Sequence, residues 1–284
     1  MANFDLRPLS LGELLDRTIS LYRSNFVLFA GISAVPHLFT LAWHLGQLVF
    51  VRMPAMRTPT SLGAPIEPGD PFKSAALGFL EFVIEAFFVY LLAQGATAYA
   101  ISELYLGHKT SITAALRQLG RRILNLAAVA LLTGMAILAG FFIFFVPGIS
   151  LACRLMTALP AAVVENLGPL QAFKRSYQLT RDSMRRALGI YILYFALRFT
   201  AYALIAYPYE VATAAFRSNP GTALWLGLAT VGNVGEAALI GPFLSIAATL
   251  FYFDLRVRKE ALDLQLMMSD GEAIPAGPIG ATST

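Results

Sequence analysis

Two carboxylates one helical turn apart, Glu81 and Glu85, stand in one apolar run, and Arg154, Arg198 and Glu236 stand in others. Paired carboxylates are the raw material of acid–base chemistry or cation binding, because both cannot ionise side by side without a cation between them. In poorly hydrated segments such groups need partners. Counting about 1.5 Å per residue along each run puts Arg198 and Glu236 near mid-depth, and Arg154 within reach of Glu81 or Glu85 in the outer half. Those two pairings are expected. They would serve as glue between helices, or as a polar path or pocket for an ion, a proton or a lipid headgroup.

Other chemistry is sparse. The chain contains no phosphate-binding Gly-rich loop ending in Lys and Ser or Thr, no His-Glu-x-x-His helix and no Gly-x-Ser-x-Gly elbow. Its single cysteine, Cys153, permits neither an intrachain disulfide nor a thiolate metal cluster and reads as a small apolar residue within a span. His37 and His44 lie in an apolar run and His108 in a short polar turn. No catalytic residue, metal site or cofactor is expected.

The elements that must position these charges follow from composition. Of 284 residues, 57% are hydrophobic and 13% charged, too apolar for a globular surface in water. Several runs reach the roughly 20 apolar residues needed to cross a bilayer. Six spans are read, over residues 25–51, 74–104, 124–146, 149–164, 187–207 and 222–253. Pro36 should bend or end the first, and Gly241 with Pro242 should loosen the last. Pro147 and Gly148 mark the turn before the short fourth span, which is either a crossing or re-entrant. A proline-rich loop is expected over residues 52–73, a second loop after Pro208, and a helix to about Met268. Residues 1–268 thus form one transmembrane domain, and residues 269–284 read as a disordered tail.

A threefold pattern sets the topology. Ser10, Ser111 and Gly168-Pro169 each open a short amphipathic helix that leads into a pair of spans. The first carries Leu11, Leu14, Leu15, Thr18 and Tyr22 on one stripe, the second Ile112, Ala115, Leu116, Leu119 and Ile123, the third Leu170, Phe173 and Tyr177. The third should end near Leu179, with Asp182 or Ser183 capping the next span. Because every hairpin returns, these helices and both termini share one side. That side is rich in Lys and Arg, whereas the other has Arg52, Arg57, Lys73 and Arg217, so the basic side is expected to be cytoplasmic. Met1 to Leu15 lacks the pattern of a secretory signal, and the first span is expected to direct insertion.

The net charge of +4 is gathered beside the spans, which argues against nucleic acid. Arg117, Arg121, Arg122, Lys174, Arg175, Arg185 and Arg186 are the candidate residues for facing anionic lipid or a protein partner, each adding on the order of 1 kcal/mol at an anionic surface.

Three blocks carry a resemblance: Leu6 to Ser10 with Gly12 to Leu15; Pro160 and Glu165 with Gly168 to Ser176; and Tyr252 to Glu260. They resemble the membrane domain of bacterial glycerophosphoryl diester phosphodiesterases and the stand-alone membrane proteins similar to it. The resemblance implies a bacterial cytoplasmic membrane protein. It does not imply the phosphodiesterase activity, which needs a His-Arg-Gly start and further His and carboxylate ligands, against the three histidines here. The expectation is an all-α, six-span, non-enzymatic scaffold or accessory component, engaging anionic lipid or a membrane or cytoplasmic protein partner through its basic face. The alternative is a transporter or lipid-handling protein with an intramembrane polar path.

Overall fold

The computed structural model describes residues 8–47, 49, 71–215 and 222–260. Among these the chain is helical, without a strand. In order come α1 (Leu11–Ser24), α2 (Phe26–Gln47), α3 (Pro71–Val89), a π-helical turn (Tyr90–Gln94), α4 (Gly95–Tyr105), α5 (Ile112–Arg121), α6 (Ile123–Ile143), α7 (Phe145–Leu155), α8 (Ala158–Glu165), α9 (Pro169–Thr180), α10 (Met184–Ile205), α11 (Tyr207–Ala215) and α12 (Thr222–Glu260). Six stretches are long and apolar enough to cross a membrane: α2, Gly78–Tyr105, α6, Phe145–Glu165, α10 and Leu224–Glu260. Side chains such as Leu124 and Phe142 are 85% and 94% exposed, which water would penalise and lipid does not. This is an all-α multi-pass membrane protein.

Burial orders the bundle. The apolar window of α12 is 67% buried and that of α10 only 11%, so α12 is the axis and α10 lies at the rim. Phe251 and Tyr252 on α12 are wholly enclosed, in one core with Leu14, Phe29, Ile101 and Ile190. α2 runs through Pro36 and α12 through Pro242 as single helices, so the first span does not end at Pro36.

The short amphipathic helices have the expected starts. Ser10 and Glu13 answer each other's backbone N–H groups across a capping box, at 3.2 and 2.7 Å. Ser111 Oγ accepts the Ala114 N–H at 3.2 Å. Pro169 is the first residue of α9, and Ser183 sits at the cap of α10 without a side-chain hydrogen bond. α1 buries Leu14, Thr18 and Leu21, and α5 buries Ala115 and Leu119, so their stripes pack on protein. α9 differs. It buries Ala172, Ser176, Leu179 and Thr180, and leaves Leu170 and Tyr177 outside.

Three turns differ from the sequence reading. The fourth span begins at Phe145 after extended Phe144, with Pro147 in the first helical turn, where a missing N–H costs nothing. The span then breaks after Leu155, and α8 folds back into α9 through Asn166, whose φ of 58° is left-handed. Third, α11 occupies part of the loop expected after Pro208. The proline-rich loop as far as residue 70, and both the helix and the tail expected beyond residue 260, lie outside the described residues.

Candidate functional site: a polar cavity within the bundle

α12 forms one wall of a cavity of about 650 Å³; α2, α3 with its π turn, and α10 form the others. That volume is in the range of small-ligand sites. From Leu226 to Ser245, its outermost α12 residues, the helix rises about 28 Å, close to the hydrocarbon thickness of a bilayer. Phe82 on α3 and Phe195 on α10 line the cavity and are 64% and 61% exposed. It therefore opens sideways, onto the surface that faces lipid.

Small residues and one irregularity shape the space. A Cβ on Gly241 would stand 3.2 Å from Ser33 Oγ, so glycine there lets α12 approach α2. The π turn slips one residue into the second span and brings Gln94, 4% exposed, onto the cavity wall. Such turns recur at functional sites.

The charges within the spans are mostly gathered here. Arg198 lines the cavity, and its Nη2 lies 3.5 Å from Oε2 of Glu236, a carboxylate 1% exposed in the wall behind. Glu81 and Glu85 do have a basic group between them, His44. Its Nε2 is 3.4 Å from Glu85 and its Nδ1 4.0 Å from Glu81. Glu81 also accepts hydrogen bonds from Trp43 Nε1 at 2.6 Å and Gln47 Nε2 at 2.7 Å. Further along the wall, His37 Nδ1 meets the Ser33 carbonyl at 2.7 Å.

Arg154 is not paired with Glu81 or Glu85. Its guanidinium lies over the Tyr177 ring, 4.5 Å from the centroid. At the break after Leu155 its carbonyl accepts hydrogen bonds from Ser176 Oγ and Thr180 Oγ1, both at 2.8 Å. Arg154, at the end of α7, thus has its neighbours on α9 and not on α3. Counting residues down a straight rod misses this, because it gives height but not the side of the bundle.

Glu210 was not singled out from the sequence. Tyr202 OH donates to its Oε2 at 2.6 Å, and Asn233 Nδ2, on the cavity wall, donates to its Oε1 at 2.9 Å. The signal was Pro208 just ahead of it, which marks a first helical turn as readily as a loop.

The basic candidates divide. Arg117, Arg121, Lys174 and Arg185 are exposed. Arg122 donates to Asn166 Oδ1. Arg175 grips Glu165 with Nε and Nη2 at 2.8–3.0 Å and reaches Glu260 through Nη1. Its guanidinium pKa is raised by the hydrogen bond to Glu260 first, and by Glu165, against the pull of desolvation. Arg186 binds Asp254 at 2.7 Å and the Leu9 carbonyl at 2.8 Å. Arg175 and Arg186 are therefore internal struts, not groups turned toward lipid or a partner.

These struts bring the three resemblance blocks together. Leu9 from the first meets Asp254 from the third, and Glu165 and Arg175 from the second meet Tyr252, Arg256 and Glu260. Among the described residues no cluster of His, Cys, Asp and Glu could hold a metal ion. No family model, curated protein or solved structure matches the chain. What the cavity does is a question for its own chemistry.

Proposed function

We propose that this chain is a lipid-handling or transport protein of a bacterial cytoplasmic membrane, with its basic end cytoplasmic, that takes an amphiphile sideways from the bilayer into the cavity along α12. The positive-inside rule supports the orientation, and the resemblance to phosphodiesterase membrane domains supports the compartment. The observation that carries the reading is the cavity itself: polar groups at mid-depth, reached past Phe82 and Phe195 from the lipid side. A headgroup would sit among Arg198, His37 and Asn233, and its chains would leave through the aromatic mouth. The reading of the protein as a scaffold binding through its basic face is less favoured, because Arg175 and Arg186 are consumed by internal ion pairs.

Native mass spectrometry of the purified protein tests this. The wild type retains a bound lipid through mild detergent activation, and Ala237→Trp, which fills the cavity wall, releases it. Equal retention by both would refute the cavity as the site.

A further inference from the structure

Three buried polar atoms in or beside the cavity have no hydrogen-bond partner among the described residues: Ser33 Oγ, Gln94 Nε2 and Glu236 Oε1. Ser33 is 2% and Gln94 4% exposed, and both line the cavity. Ser33 Oγ and Gln94 Nε2 are donors, and a buried donor left unmade costs more than the net worth of a made bond, so these two mark a site that expects an acceptor. Glu236 Oε1, an acceptor, supports only the placement of Glu236 as a counter-ion. Arg198 is under-used in the same way. A guanidinium offers five donors, and in this structure its ion-pair contact is Glu236 Oε2 at 3.5 Å, longer than a charge-assisted hydrogen bond.

We propose that Arg198 is the anion-binding group of the cavity, that Glu236 is its resting counter-ion, and that the ligand is a lipid carrying one anionic group, phosphodiester or carboxylate. This deepens the lipid-handling reading and rests on it. Arg198 stands between the two: Glu236 behind it in the wall, open cavity in front. An incoming anion takes the guanidinium donors that Glu236 does not use, and its remaining oxygens accept from Ser33 Oγ and Gln94 Nε2. The lateral mouth selects an anion that carries apolar chains. Glu236 competes for the same guanidinium, so removing its charge strengthens ligand binding.

The test is equilibrium binding of fluorescent phosphatidylglycerol and of fluorescent phosphatidylcholine with the same chains, to purified protein in neutral detergent. The wild type favours the anionic probe by about ten- to a hundredfold, the value of a charge-assisted hydrogen bond set. Glu236→Gln increases that preference. Arg198→Lys keeps part of it. Because Arg198→Gln alone strands a buried carboxylate, the decisive variant is Arg198→Gln with Glu236→Gln, checked for monodispersity, which binds both probes alike. A double variant that keeps the wild-type preference overturns the assignment of Arg198. Binding of neither probe to the wild type overturns the underlying cavity reading instead. Competition by glycerol 3-phosphate as potent as that of unlabelled phosphatidylglycerol overturns the lipid source and assigns the site to a soluble phosphate.

Discussion

The carboxylate of Asp254, near the end of the axial helix, accepts the backbone N–H of Leu9 at 2.7 Å across 245 residues of chain. The same carboxylate holds Arg186 at 2.7 Å and Arg258 at 3.0 Å, and both arginines donate onward to the Leu9 carbonyl. Start, fifth span and end of the described chain are tied in one knot, with the Asp254 side chain fully buried.

Removing that centre leaves two partly exposed cations beside each other without their counter-ion, and the Leu9 N–H without its acceptor. Asp254→Ala is expected to destabilise the protein by about 1.5–3 kcal/mol, the usual worth of hydrogen bonds to a charged group whose partners stay partly exposed. Thermal unfolding in detergent, followed by tryptophan fluorescence, measures it. A melting temperature equal to wild type would mean that the knot carries no stability.

The α6–α7 turn depends on glycine. A Cβ on Gly140 would stand 3.0 Å from the Gly148 Cα and 2.8 Å from Leu151 Cδ1, whereas one on Gly134 in the same helix meets nothing within 4 Å. Gly140→Ala should therefore cost about 1–3 kcal/mol as an overpacked contact, while Gly134→Ala should be neutral or stabilising by up to about 1 kcal/mol. The two melting curves, run side by side, decide it.

Asp182 lies between α9 and α10, and Lys259 Nζ contacts its carboxylate at 2.8 Å. The lysine hydrogen bond and charge hold the Asp182 pKa below its ordinary value of 3.8. The sign follows: what this contact contributes is complete above the ordinary value and is lost as pH falls through the lower, folded one. A carboxyl NMR titration of selectively labelled protein should place Asp182 below a free aspartate, and Lys259→Gln should return it upward. An unshifted wild-type titration would remove the contact from the account.

Much of this architecture is legible in residue order. Caps at Ser10 and Ser111 follow from local hydrogen bonding, and the spans follow from run lengths. Arg198 and Glu236 could be placed at one depth because both lie in long helices whose rise per residue is regular. Arg154 could not be placed, since its span breaks after Leu155 and its neighbours come from a hairpin turned through Asn166. Nor does hydropathy distinguish an arginine facing lipid from one gripping a glutamate, which is why Arg175 and Arg186 read as surface charge. The π turn leaves no compositional mark: Tyr90–Gln94 is as apolar as the helix around it.

The central claim is that a polar cavity open to lipid lies along α12. The direct measurement is thiol labelling in native membranes with Cys153→Ala as background, the natural cysteine being buried. Ala237→Cys on the cavity wall should react with a membrane-permeant maleimide and be protected by added phosphatidylglycerol, while Phe199→Cys, next to Arg198 but facing lipid, should gain no such protection. If both positions were equally inert, or if lipid gave Ala237→Cys no protection, the cavity would be no binding site and the account would be contradicted.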